Sequence, residues 1–377
     1  MIHRIRIQNF KSLRDVTVDF SPVTVLIGKS GTGKTNFASA IRFLRDCLAS
    51  APQPPQGYQY ALLKCATNPA GAIGFEVEFD VPGFTDRFVY SITFDDQNIA
   101  HPPRTEYLAR GAHPVFRQAR AGGLLEGARW EKEPSLISPP QPGLLALGRL
   151  PGLEEAADAY TVLTALIGVY AFPYDVLKTP SRPAGVAGLA DDAGNFMEVL
   201  REITRSLQDI TTRKAIPAAL RRINATVASV QLDSVQSPTK VIVGHRLGEK
   251  ILPLELAQES NGFRRFYAHL LALYQKPPKQ TLVFEEPENG IYLGALAVLA
   301  EEFQAASDAG RGQVILTTHS PALLDHFSAG QIRVVELVDL ETRIGPLAEE
   351  QKEALAEELL HAGELLTVDP ARGQAVS

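Results

Sequence analysis

The sequence predicts an α/β fold: a parallel sheet carrying a glycine-rich loop, with an antiparallel β subdomain and a helical insertion. Three observations predict it. The apolar run Val23–Ile27 enters a glycine-rich turn and then an amphipathic stretch from Lys34 to Leu48. Strand-like and helix-like segments alternate between Thr281 and Leu337, the pattern of strands joined by crossover helices. Residues 73–94 alternate apolar and polar on both sides of Pro82-Gly83, which predicts an antiparallel hairpin.

The elements follow in order. Ile5 and Ile7 alternate with Arg4, Arg6 and Gln8, and Val16 and Val18 with Asp15, Thr17 and Asp19, so two half-buried strands open the chain. Val23–Ile27 is broken only by Thr24 and reads as a strand buried on both faces. Phe37, Ile41, Leu44 and Leu48 share one side of the following helix. Residues 95–190 are rich in Pro and Gly and give no clear period. A helix-rich segment is expected over 195–230, broken near Pro217, and short strands over 240–257. Phe263, Phe266, Tyr267, Leu270, Leu271 and Tyr274 line a helix face. Strand 281–284 leads to a helix carrying Tyr292, Leu296, Leu299 and Phe303. Strand 313–318 leads to a helix over 321–327, and strand 332–337 to a charged helix over 348–361.

Composition narrows the function. With 377 residues, 45% of them apolar and 21% charged, the chain can bury a core, which excludes wholesale disorder. The net charge of −6 argues against a surface that is basic throughout, leaving room only for a local basic patch. Cys47 and Cys65 make no disulfide framework and no zinc spacing, which predicts a reducing, cytoplasmic setting. The opening MIHRIRIQNF lacks the apolar core of a signal peptide. Leu293–Ala300, the most apolar stretch, runs into Glu301-Glu302, so no membrane span is expected. Proline clusters at 52–55, 139–142 and 173–183 mark loops.

The chemistry concentrates in four motifs. Gly28-Lys29-Ser30-Gly31-Thr32-Gly33-Lys34-Thr35 is G-x-x-x-x-G-K-[ST], set between a strand and a helix. Glycines let backbone N–H groups turn inward around a phosphate, and the helix N-terminus adds its positive end. Lys34 would neutralise the β- and γ-phosphates and the Thr35 hydroxyl would ligate Mg²⁺. The strand Thr281-Leu282-Val283-Phe284 ends in Glu285-Glu286. Strand side chains alternate, so one carboxylate suits the Mg²⁺ water shell and the other an attacking water. Standing alone, such a pair is more often a solvated loop. His319, at the end of Val314-Ile315-Leu316-Thr317-Thr318, sits where open parallel sheets bind ligands, within reach of a γ-phosphate. Glu259-Ser260-Asn261-Gly262-Phe263-Arg264-Arg265 opens a helix with a polar cap and a glycine. That suits an anion arriving from outside, although a plain N-cap reads the same way.

In this order the motifs resemble the ABC-type ATPase heads of the SMC, RecF and OLD-like group, which includes stand-alone AAA-family ATPases. Ile5-x-Ile7-x-Asn9-Phe10-Lys11-Ser12-Leu13 is similar to that group's first strand and turn. Gly28–Thr35 with Asn36 resembles its Walker A, and Ser260-x-Gly262-x-Arg264 a reduced signature. Phe284–Glu288 resembles Walker B, Pro287-Glu288-Asn289-Gly290 the start of a D-loop, and Thr318-His319-Ser320 the switch histidine. Gly363-Glu364-Leu365-Leu366 is similar to the tail of stand-alone members. The likeness covers about residues 1–50 and 255–366.

The resemblance implies a P-loop NTPase of the ABC-type two-lobed head. Lobe I would span 1–170, a helical insertion 171–240 and lobe II 241–377. It implies two ATP molecules sandwiched head-to-tail in a homodimer, each phosphate loop facing Ser260 and Gly262 of the other copy. Glu286 would be the catalytic base, Glu285 with Thr35 the Mg²⁺ side, and His319 the switch. Walker B usually reads Asp-Glu, and here it is Glu285-Glu286. The signature lacks Leu-Ser-Gly-Gly, which argues against a transporter ATPase. The Q-loop glutamine has two candidates, Gln118 and Gln141.

Residues 51–254 hold no heptads, so no SMC-type coiled-coil arms are expected. The segment after His319 is short for an OLD-type nuclease domain. The reading is Mg²⁺-dependent, slow ATP hydrolysis coupled to dimerisation and to DNA repair, phage defence or control of a partner effector. Its rivals are a nucleotide-binding scaffold with little turnover and an enzyme acting directly on DNA. The second rests on Arg201, Arg205, Arg213, Lys214, Arg221 and Arg222, which read more simply as a solvated helix face. Trp130 belongs to no visible stacking ladder.

Overall fold

The computed structural model describes residues 1–49, 63–94, 105–119, 144, 147, 153–178, 181, 188–205, 210–233 and 239–374. The proline clusters at 52–55 and 139–142, Pro180, Pro183, Trp130 and Gln141 lie outside the described residues. The fold is mixed α/β with several sheets. Its contacts form two compact units, one of Met1–Ile167 with Ala329–Ser377, the other of Gly168–Ser328.

The first unit holds an antiparallel sheet of order β2-β1-β4-β5-β6-β7. Its strands are β1 (Ile2–Phe10), β2 (Leu13–Asp19), β4 (Gly74–Phe79), β5 (Phe88–Thr93), β6 (Thr105–Arg110) and β7 (His113–Ala119). The alternation read from β1 holds, with Ile5 and Ile7 buried. The charged residues between them form a cross-strand lattice, Arg4 with Asp19 at 2.6 Å and Arg6 with Asp15 at 2.7 Å. The helix α1 (Lys34–Ala49) lays Phe43 against Phe10, Phe75 and Phe94, with ring centroids 5.3, 5.9 and 5.5 Å apart. These aromatic contacts seat α1 on the antiparallel sheet.

The strand β3 (Val23–Ile27) is buried at every residue, as its continuous apolar run requires. It pairs in parallel with β14 (Ile332–Val338), which turns back into the antiparallel strand β15 (Glu341–Pro346). Both turn residues have positive φ, Asp339 at 51° and Leu340 at 66°, the geometry of a tight primed hairpin. The β14–β3 pairing groups residues after 328 with the N-terminal segment. The helices α2 (Glu154–Leu163) and α8 (Glu349–Ala356) complete this unit.

The second unit begins at the strand β8 (Ile167–Tyr170), which lies beside β12 (Thr281–Glu285). β12 pairs in parallel with β13 (Gln313–Thr317), setting Glu285 opposite Thr317. A separate antiparallel sheet has the order β11-β10-β9, from β9 (Val227–Asp233), β10 (Lys240–Leu247) and β11 (Lys250–Glu255). The helices are α3 (Phe196–Arg205), α4 (Ile210–Ile223), α5 (Asn261–Tyr274), α6 (Leu296–Asp308) and α7 (Pro321–Leu324).

Two expectations need correction here. α4 runs through Pro217 without ending, because Ile216, Ala219 and Leu220 are buried and packing carries a helix past one missing bond. The helix-rich stretch stops at Ile223, and residues 227–233 are the strand β9. No helix among the described residues is long and apolar enough to cross a membrane.

Candidate functional site

The glycine-rich loop joins β3 to α1. Its tip, Lys29–Gly31, is exposed, while Thr32, Gly33 and Lys34 are buried. Gly31 and Gly33 have φ of 81° and 108°, a region that other residues rarely adopt. A Cβ on Gly33 would collide with Thr342 Oγ1, and one on Gly28 with the Val335 carbonyl oxygen. Lys34 is only 4% exposed, and its Nζ donates to the carbonyls of Gly28 and Lys29 at 2.8 and 2.9 Å. The ammonium is therefore held beneath the loop it would serve. Thr35 is exposed at the first turn of α1, and Asn36 Nδ2 donates to Ser12 Oγ at 2.8 Å.

The acidic cluster belongs to the second unit. Glu285 ends β12, and Glu286 follows with φ 44°, a strained conformation for a non-glycine residue. Its N–H donates to both Thr317 O, at 3.1 Å, and Thr317 Oγ1, at 3.2 Å. This bifurcated anchor on β13 turns the Glu286 side chain out of the strand's alternation. Its carboxylate accepts from Asn289 Nδ2 at 2.7 Å and lies 3.3 Å from His319 Nε2. Glu286 and His319 are 35% and 37% exposed, so both are open to a ligand and to water. Glu288 Oε1 accepts from Thr318 Oγ1 and from the His319 N–H, each at 2.8 Å. That carboxylate fixes the backbone from which His319 projects. The sequence placed Glu288 at the end of Walker B and, with Asn289, at the start of a D-loop; the grip of Glu288 on Thr318 and His319 depends on β12 and β13 lying side by side, while Asn289 reaches Glu286 within its own turn.

The third group opens α5. Ser260 is the N-cap, its Oγ accepting from Phe263 N–H at 3.2 Å. A Cβ on Gly262 would come within 2.8 Å of Gly290 O, so this glycine permits close packing on the Glu288–Gly290 turn. The buried Arg264 guanidinium donates to the carbonyls of Val176, Ala257 and Glu259 at 3.1, 3.3 and 2.5 Å. Beneath β12, His269 lies among Phe172, Phe284 and Phe303 and donates its Nδ1 proton to Arg265 O at 2.7 Å. Burial lowers its pKa to about 3; the bond to the Arg265 carbonyl opposes that shift and the Arg265 charge adds to it.

Mg²⁺ takes hard oxygen ligands, retains several waters and relies on phosphate oxygens for the rest. The exposed Thr35 hydroxyl and the Glu285 carboxylate are donors of that kind. No group of three or more His, Cys, Asp or Glu among the described residues makes an all-protein metal cage. Thr35, in the first unit, and Glu285, in the second, are each donors of the kind that suits an ion carried by a nucleotide.

Other candidates fare differently. Gln118 lies on β7, its backbone opposite Glu106, and its side chain is outside the described residues. In the basic stretch, Arg222 pairs with Glu301 at 2.5 Å and Arg201 donates to Thr239 Oγ1 at 3.3 Å; the Arg213 side chain lies outside the described residues. Cys47 and Cys65 are buried free thiols, and burial pushes the Cys47 thiol pKa up.

Two family models match the chain. One, an AAA ATPase domain, matches residues 1–70. The other, an AAA domain of the AbiEii toxin type (Type IV TA system), matches residues 164–325. No curated protein matches the chain. Among solved structures, an SMC head bound to the C-terminal winged-helix domain of ScpA aligns with TM-score 0.59 at 14% identity. It covers 93% of this chain and 99% of its own. An SMC head with an extended coiled coil, bound to the C-terminal domain of ScpA derived from Pyrococcus furiosus, aligns with TM-score 0.57 at 12% identity. That alignment covers 95% of this chain and 99% of the other.

Proposed function

We propose that this chain, which has the fold of an SMC head and matches AAA ATPase domain models over residues 1–70 and 164–325, is an SMC/ABC-like ATPase head that binds Mg-ATP and hydrolyses it slowly. The Gly28–Thr35 loop and Asn36 hold the phosphates, Lys34 moving its ammonium from the loop carbonyls to the β- and γ-phosphate oxygens. Thr35 and Glu285 hold Mg²⁺, which when bound neutralises charge developing on the phosphates. Glu286 orients the attacking water and takes its proton, and His319 donates to the γ-phosphate. The observation that carries this reading is the Glu286 carboxylate, gripped by Asn289 and His319 yet one-third exposed. A carboxylate so held and still wet is positioned to act on a water.

We further propose that ATP binding drives a head-to-tail homodimer, with Ser260 and Gly262 of each copy meeting the γ-phosphate held by the other. The Ser260 N-cap leaves the start of α5 as an anion-attracting end. The output is ATP-gated control of nucleic acid or of a partner effector, in DNA repair or phage defence, within the cytoplasm. The bound ScpA domains of the solved SMC heads support a protein partner. One observation favours a nucleotide-binding scaffold with little turnover: the Glu286–His319 contact is long, at 3.3 Å.

Light scattering of Glu286→Gln with and without Mg-ATP tests the dimer. A monomer that doubles its mass only with Mg-ATP is the expected result; an unchanged mass removes ATP-driven dimerisation. Equal phosphate release by wild type and Glu286→Gln would leave the scaffold reading in place of the enzyme.

A further inference from the structure

We propose that Thr342, on the hairpin after β14, is a positioning residue for the phosphate loop and sets nucleotide affinity through its hydroxyl. Thr342 is 2% exposed, and its Oγ1 donates to the Thr32 carbonyl at 2.7 Å. It also lies 2.6 Å from Ser12 Oγ, which accepts from Asn36 Nδ2 at 2.8 Å. Each hydroxyl has one proton. The Thr342 proton goes to Thr32 O, so the Ser12 proton goes to Thr342. The chain therefore has one direction: Asn36 amide to Ser12 hydroxyl to Thr342 hydroxyl to Thr32 carbonyl. Bonds aligned this way polarise one another.

Both ends of this chain stand on the loop and its helix, and they bracket Gly33, Lys34 and Thr35. In a trans peptide the C=O and the next N–H point in opposite directions. Holding the Thr32 carbonyl toward β15 therefore turns the Gly33 N–H away from it, toward the side where a phosphate would enter. A Cβ on Gly33 would collide with Thr342 Oγ1 and come within 2.9 Å of Ser12 Oγ, so the glycine makes room for the clasp as well as for its φ. The hairpin is itself tied down. Thr342 N–H donates to Ser12 O at 2.7 Å, and Glu341 Oε1 accepts from Thr67 Oγ1 at 2.6 Å and from Arg14 at 3.3 Å. This gives Ser12, in the Asn9-Phe10-Lys11-Ser12 turn, a task at the nucleotide loop without contact to nucleotide.

The inference rests on the proposed binding of Mg-ATP to this loop. The test is Mg-ATP titration calorimetry and steady-state turnover on the full chain, for wild type, Thr342→Val and Thr342→Ser. Loss of one net hydrogen bond predicts that Thr342→Val raises Kd and KM about five- to tenfold. Its kcat stays within about twofold, because the clasp acts on binding; a fold defect would instead lower kcat at unchanged KM. Thr342→Ser keeps the hydroxyl and stays within about twofold of wild type. Should Thr342→Val fail to fold, Ser12→Ala cuts the same chain, with KM up about two- to threefold expected at unchanged kcat. Unchanged affinity in the folded variant, or equal weakening by Val and Ser, overturns the clasp. Wild type that binds no Mg-ATP overturns the nucleotide reading and the clasp with it.

Discussion

The phosphate loop and the acidic strand end are built on opposite plans. In the loop, Thr32, Gly33 and Lys34 are buried, the lysine sits on two carbonyls, and a chain of hydroxyls fixes the backbone from behind. At the strand end, Glu286 and His319 are each more than one-third exposed and touch at 3.3 Å, on a backbone strained at φ 44°. The first is a rigid cradle whose shape exists before any ligand. The second is a pair held from one side by Asn289 and open to water on the other. If the chain works as proposed, the difference makes affinity and chemistry separable, since they would depend on different elements and could be lost one at a time.

The sharpest way to break that separation is at Glu286. Glu286→Gln keeps the shape and removes the proposed base, so phosphate release at saturating Mg-ATP should fall about 100- to 1000-fold. Its Mg-ATP affinity by calorimetry should stay within about threefold. Lys34→Ala does the reverse, removing charge-assisted bonds to phosphate and weakening binding on the order of 100-fold. Asn289→Ala loosens the Glu286 carboxylate without touching the loop. It should lower kcat about five- to tenfold with KM unchanged, since one hydrogen bond is lost.

A smaller effect separates the two halves by pH. His269 is buried beneath the acidic strand with its pKa lowered to about 3, against an unfolded value of about 6.5. The stability it contributes is fully present above about pH 6.5. It is lost as pH falls toward 3, because the unfolded chain takes up a proton that the native site refuses. Between pH 6.5 and 5, wild type should lose about 2 kcal/mol more than His269→Leu. Denaturant melts of both proteins at the two pH values check the difference.

The glycine-rich loop was legible in the sequence because phosphate-binding chemistry needs fixed residues at fixed spacing, here from Gly28 to Thr35. β1, α1, β12 and α5 were legible because each buries one face, or two, and the period shows it. The β14–β15 turn was not, because Asp339-Leu340 adopts a primed geometry without the usual Asn-Gly or Asp-Gly signal. Thr342 was hidden for the same reason: it lies 330 positions from Ser12, and no local pattern links them. Glu288 was visible as a polar residue after a strand, but its partners Thr318 and His319 appear only once β12 and β13 pair; Asn289 meets Glu286 within one turn. Pro217 misled because a local penalty was outweighed by the buried face around it.

The most direct test of the division is a paired measurement on Lys34→Ala and Glu286→Gln: Mg-ATP binding by calorimetry and single-turnover hydrolysis on the same preparations. The account predicts that Glu286→Gln binds like wild type and barely hydrolyses, while Lys34→Ala binds on the order of 100-fold more weakly. Hydrolysis at the wild-type rate by Glu286→Gln, or wild-type affinity in Lys34→Ala, would contradict it.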